Sequence, residues 1–142
     1  MAGESTTPDP LEILRRYQEA VRSGDRDTEM SMWAPDAVWD MSNLGLGTFE
    51  GWPAIRSFKE EWGSRYARYD LQPEEFLDLG GGVVFLKLRE IGYPVGGAPD
   101  VRVEESWGYV YVFEGGMIVC MVCSRDIDAA RAAAERLAEE RG

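Results

Sequence analysis

At 142 residues, 44% of them hydrophobic, the chain has the length of one domain and can bury a sizeable shared core, and its five tryptophans exclude a disordered polymer. Its 26 acidic side chains against 15 basic ones give a surface that repels phosphate backbones and anionic lipid, which argues against a nucleic-acid or membrane partner. No long apolar run or apolar leader occurs, so a membrane span and Sec export are excluded and the cytoplasm is the expected location.

Residues 1–7 read as a disordered leader and residues 8–142 as one folded domain. In the first helix Asp9 caps, Pro10 takes the first helical position, and Leu14, Tyr17 and Val21 recur at helical spacing until Gly24 ends it. Asp25 or Asp27 caps a short second helix with Met30 and Trp33 on its inner face, which Pro35 stops. AVWDM, starting at Ala37, is a first strand. The GLGTFEG loop leads to a third helix with Pro53 near its start and with Ile55, Phe58, Trp62 and Tyr66 as its core stripe.

From Tyr69 the period changes to that of strands, roughly Asp70 to Leu79, Val83 to Ile91, Val101 to Phe113 and Met117 to Ser124. Glycine-rich turns separate them, so an antiparallel meander is expected. An alanine-rich amphipathic helix from Ile127 to Glu140 closes the chain. Val84, Leu86 and Leu88 alternate with Val83 and Phe85, so one strand is apolar on both faces and a homodimer through the outer sheet face is expected.

No histidine is present, which removes the commonest general base and metal ligand and every Ser-His or Cys-His pair. Acid-base chemistry must use Asp, Glu, Tyr, Lys or Cys. Cys120 and Cys123 form a CxxC, but in mid-strand, where a separation of three sends the two thiols to opposite faces. The expectation is two reduced thiols, with no disulfide, metal or other cofactor.

The span LRRYQEAVRSGDRDTEMSMWAPDAVWD, Leu14 to Asp40, resembles the start of ketosteroid isomerase and its SnoaL-like relatives in the nuclear transport factor 2-like superfamily. GTFEGWPAIRSFKEEW, DLQPEEFLDLGGGVVFL and VFEGGMIVCMVCSRDIDAARAA resemble, in order, the loop-to-helix, the next two strands, and the last hairpin with closing helix of SnoaL-like proteins. The resemblance covers nearly the whole chain. It implies an α+β fold, a cone in which a curved, mostly antiparallel sheet wraps around N-terminal helices and leaves a pocket.

The resemblance also implies roles. Tyr17, seven residues before a Gly-Asp pair, matches the oxyanion-binding tyrosine of ketosteroid isomerase. Asp40 matches that enzyme's general base if one residue is deleted between Asp36 and Asp40; without the deletion Met41 takes the position. Asp40 is then either an inward base or an outward, solvated acid. The isomerase's third participant falls at Tyr109, where this chain departs from the family's aspartate. Asp126 stands where limonene-epoxide hydrolase and SnoaL-type cyclases carry an acid-base aspartate, and equally where the last helix wants an N-cap. The hydrolase's Arg-x-Asp is not reproduced, since KLREIG puts Lys87 and Arg89 on one face and Glu90 on the other.

Two functions stay open. One is a metal-free isomerase, cyclase or hydrolase with Asp40 or Asp126 as base and Tyr17 or Tyr109 as donor, acting on a small apolar, ring-bearing molecule. The other is a binding or assembly domain with the same aromatic pocket and no inward carboxylate. The expected lining is Tyr17, Trp39 or Asp40, Phe58, Trp62, Trp107 and Tyr109.

Overall fold

The computed structural model describes residues 9–98 and 100–142; the expected leader lies outside the described residues. Helix α1 (Pro10–Ser23) starts where Asp9 accepts a hydrogen bond from the Leu11 backbone N–H, and ends at Gly24, whose φ of 77° lets its N–H reach back to the Ala20 and Val21 carbonyls. Asp25 caps the short α2 (Arg26–Ser31) through the Thr28 N–H.

Strand β1 (Trp33–Asp40) begins earlier than its sequence suggests. Pro35 does not stop a helix here; it sits within the strand, where the pairing of β1 shifts register between Trp33 and Val38. A proline cannot donate to a ladder, and an irregularity is where a strand tolerates one. Trp33 is therefore a strand residue.

A 3-10 turn (Ser42–Leu44) and a short strand β2 (Thr48–Glu50) occupy the expected loop before α3 (Gly51–Gly63). Four long strands follow: β3 (Tyr66–Gly80), β4 (Val83–Pro94), β5 (Val103–Glu114) and β6 (Met117–Ser124). Tyr66 opens β3 and does not belong to the stripe of α3. Helix α4 (Ile127–Arg141) ends the chain, its Asp126 cap accepting from Ala129 N–H at 3.0 Å. Among the described residues no helix is long and apolar enough to cross a membrane.

The six strands form one curved, unclosed sheet in the order β2-β1-β6-β5-β4-β3. β3 to β6 are the expected antiparallel meander, while β1 lies parallel to β6. Helices α1 and α3 pack on the concave face with Val84, Leu86 and Leu88 of β4. On the convex face α4 lays Ala130, Ala134 and Ala138 over Val83, Phe85 and Val110. The apolar side that in the sequence needs a second copy is thus covered by α4 of the same chain, which removes the argument for a dimer across Val83 and Phe85.

Gly108 sets how closely α4 lies on the sheet: a Cβ there would stand 2.8 Å from the Ala130 Cβ. Gly108→Val is expected to lift α4 and cost about 1–3 kcal/mol, the range for overpacking a filled core. Urea denaturation of the two proteins side by side checks it; equal midpoints would show that α4 shifts freely.

Candidate active site and its family

Between α1, α2, α3 and the concave face lies a cavity of about 70 Å³. Its aromatic wall is built by strand alternation and helix spacing together. Trp107, Tyr109 and Tyr111 are alternate residues of β5, Trp39 faces them from β1, and Tyr17 and Trp62 enter from α1 and α3. Val21, Leu44 and Leu71, all partly exposed, belong to the lining as well.

The polar groups of the cavity form two sets. In the first, Lys59 Nζ lies 2.6 Å from Glu29 Oε2 and donates to the Tyr17 hydroxyl, also at 2.6 Å. Arg26 Nε reaches the other oxygen of Glu29 at 3.2 Å, and Trp33 Nε1 donates to the Tyr17 oxygen at 3.2 Å. The Lys59 ammonium also sits 4.8, 5.2 and 5.6 Å from the ring centroids of Trp39, Tyr17 and Trp33. A cation held by a carboxylate, a phenol and three aromatic faces is well compensated for its burial.

The second set centres on Glu90 of β4, which is 7% exposed and accepts from Trp62 Nε1 at 3.4 Å. Burial pushes its carboxyl above the usual glutamate range, against hydrogen bonding by Trp62 and Trp107, and Glu105 across the strand pair adds to the rise. Trp107 Nε1 approaches this carboxylate without a well-formed hydrogen bond of its own. The folded state therefore holds this proton more tightly than the unfolded chain. The stability that the proton carries is complete below the ordinary glutamate range and is lost as pH rises through that range toward the folded value. Glu90→Gln, which cannot ionise, is expected to be more stable than wild type at pH 8 by about 1 kcal/mol or more, the scale of one imperfectly compensated buried polar group. At acid pH the gap should close; melting curves across pH check both ends.

Among the expected site residues, Tyr17, Trp39, Trp62, Trp107 and Tyr109 line the cavity. Phe58 stands behind the wall, its ring edge-on to Trp39 at 5.1 Å. Asp40 does not line it. The Asp40 carboxylate accepts from the Ser42 N–H at 2.9 Å and from the Ser42 and Thr48 hydroxyls, and these bonds, Ser42 first, hold it below the usual carboxylate range. It therefore serves the turn into β2, and the next residue, Met41, takes the inward place. Asp126 is exposed and caps α4. Cys123 faces the cavity, receives the Trp39 indole N–H at 3.3 Å and has its thiol pushed up to about 12 by burial; Cys120, three residues back, is on the other side of the strand.

Lys59, Glu29 and Glu90 were not singled out from the sequence, although each carried a signal. Lys59 is four residues after Ile55 on the buried stripe of α3, Glu29 is four before Trp33, and Glu90 continues the inward alternation Leu86, Leu88. Charge alone made them look solvated.

Residues 14–121 match the family model of the SnoaL-like domain. The chain belongs to that family. Solved structures agree on the fold of this SnoaL-like protein. An NTF2-like protein of unknown function from Burkholderia pseudomallei superposes with a TM-score of 0.72 at 24% identity, over 93% of this chain and 98% of that one. TerC, co-crystallized with polyporic acid, gives 0.71 at 19% identity, over 89% and 98%. The epoxide hydrolase/cyclase-like enzyme SalBIII, of pyran ring formation in the polyether salinomycin, gives 0.70 at 20%, over 81% and 88%. At these identities the likeness is one of fold. A comparison with curated proteins finds no match.

Proposed function

We propose that this SnoaL-like chain binds a small, ring-bearing molecule with an apolar body and oxygen substituents in the cavity between α1, α3 and the sheet. The observation that carries this reading is the concentration of buried polar atoms without a hydrogen-bond partner on one aromatic cavity. Gln18 Oε1 and Arg26 Nη1 belong to lining residues, as does Trp107 Nε1, which Glu90 holds only loosely; a fourth such atom, Glu105 Oε2, stands at the rim outside the lining. Buried donors and acceptors are almost always paired, so a ligand or water that supplies their partners is the economical reading. The aromatic wall suits the body of a ring, and TerC, of the same fold, was co-crystallized with polyporic acid.

Size narrows the class. A cavity of about 70 Å³ is smaller than the ~150 Å³ that admits benzene in an engineered core. A ligand of one or two rings is therefore the upper limit, and it requires the partly exposed Trp62 and Leu44 to turn aside. The chemistry that the lining supports is acid-base chemistry of the isomerase, cyclase or hydrolase type, with glutamate and tyrosine as its groups. With Asp40 and Asp126 outside the lining, binding without turnover is the second reading.

The probe is 1-indanone, a compact ring ketone without a titrating group. Calorimetry is expected to show saturable binding to wild type, weakened about tenfold, or 1.4 kcal/mol, in Leu71→Trp, which narrows the cavity from a partly exposed position. Equal affinity in both proteins would place the ketone elsewhere and overturn the proposal.

A further inference from the structure

The row of inward residues on β4 runs Val84, Leu86, Leu88 and then Glu90. A fourth aliphatic side chain would continue the packing at no electrostatic cost. Instead the strand carries an acid, and its Cα partner on β5 is a second acid, Glu105. Like charges directly opposite each other on one sheet face are unfavourable, and burial of one of them makes the arrangement worse. Such a pair is retained against packing and electrostatics where it has work to do.

Geometry shows what that work can be. Glu90 lines the cavity, with the Trp62 indole donating to one oxygen and the Trp107 indole beside it. Glu105 leads outward: its side chain is 34% exposed and meets the exposed Arg125 at 3.3 Å, and the Arg125 guanidinium in turn covers the Trp107 ring at 5.2 Å. One acid therefore faces the cavity, and its neighbour stands at the rim with one carboxylate oxygen buried beneath Arg125.

We propose that the Glu90 carboxyl donates a hydrogen bond to an oxygen of the molecule bound in the cavity, with Glu105 as the positioning residue that controls its ionisation. The inference rests on the proposed binding of an oxygenated ring compound in the same cavity. The ligand class is a neutral ring ketone or cyclic ether, whose oxygen can only accept. The carboxyl O–H donates a hydrogen bond to the ligand oxygen, no covalent bond breaks, and the proton stays on Glu90 when the ligand leaves. The carboxyl's other oxygen accepts from the Trp62 indole N–H.

The charged and titratable groups around Glu90 come from every neighbouring element. Glu105 and Tyr109 on β5, Tyr66 on β3 and Cys123 on β6 are within electrostatic reach. Across the cavity stand Lys59 of α3, Tyr17 of α1, and Glu29 with Arg26 of α2. Lys59 and Arg26 are both committed to Glu29. Glu105 is then the charge whose removal should move Glu90 most.

Two measurements test the proposal. The first needs no ligand: carbon-13 NMR of the Glu90 carboxyl is expected to titrate above the ordinary glutamate range of about 4.3, and to move down in Glu105→Gln. The second is calorimetry with 1-indanone from about pH 5 to 9, spanning the range in which a buried glutamate ionises. Wild-type affinity should fall about tenfold as Glu90 ionises, 1.4 kcal/mol of lost binding. Glu90→Gln, an N–H donor at every pH, should bind throughout without that dependence, and Glu105→Gln should show the fall at lower pH. An ordinary Glu90 titration unmoved by Glu105→Gln, or the wild-type pH profile persisting in Glu90→Gln, overturns the role of Glu90 while leaving cavity binding intact. A raised titration with no indanone binding at any pH overturns the binding reading, and the ligand-facing role with it.

Discussion

Glu29→Gln should destabilise the chain by about 3–5 kcal/mol, the cost of breaking a buried ion pair from one side. Glu29 is 3% exposed and is the carboxylate partner of both Lys59 and Arg26. Its neutral replacement leaves two cations at the cavity wall with a phenol and ring faces as compensation, and one Arg26 N–H already lacks a partner. Lys59 is 11% exposed along its side chain and has little access to water as an escape. The double variant Glu29→Gln/Lys59→Met should recover most of the loss, because a methionine of similar length fills the aromatic cage without a charge. Urea denaturation of the two singles and the double closes the cycle. A Glu29→Gln protein within about 1 kcal/mol of wild type, the size of a surface pair, would show that the pair is solvated in solution.

Trp33→Ala is expected to cost about 3–5 kcal/mol, as large-to-small substitutions of aromatic core residues do. Trp33 is fully buried, donates to the Tyr17 hydroxyl, accepts the Trp52 indole N–H on its carbonyl at 2.9 Å, and packs against the Tyr17 and Trp39 rings at 6.1 and 6.0 Å. The vacated space adjoins the cavity lining. A folded Trp33→Ala protein should therefore accept ring compounds larger than those wild type accepts. Chemical denaturation gives the first quantity and calorimetry with indanone and a three-ring homologue the second. A loss below about 1 kcal/mol would mean that the site collapses around the smaller side chain.

The parts of the fold that were legible in the sequence are those set by local chemistry. Asp9, Pro10 and Gly24 mark both ends of α1 because a cap, a first-turn proline and a left-handed glycine each act within a few residues. Local chemistry misleads where a distant partner decides. Pro35 looked like a helix stop, but β6 draws the backbone from Trp33 onward into the sheet. Tyr66 kept helical spacing with Trp62, yet β4 recruits it into β3, with Gly92 lacking the side chain that would meet its ring. The site shows the same division. Alternation and helical spacing point Tyr17, Trp62, Trp107 and Tyr109 inward, whereas on β1 they leave Trp39 or Asp40 open, and Ser42 next door claims Asp40. Glu29, Lys59 and Glu90 were legible by position and obscured by charge.

The parallel pairing of β1 with β6 has a kinetic meaning. The Trp39 indole meets the Cys123 thiol across 84 residues of chain, so the wall that carries Trp39 gains its neighbour only when the last strand is in place. Contacts of such sequence separation bear the largest loop-closure entropy and come late in assembly. The helices and the β3 to β5 meander can form from nearby residues, but the two ends of the chain must meet before the cavity has a floor. During synthesis the cavity is thus complete only after β6 has emerged and paired with β1, late among the elements of this domain.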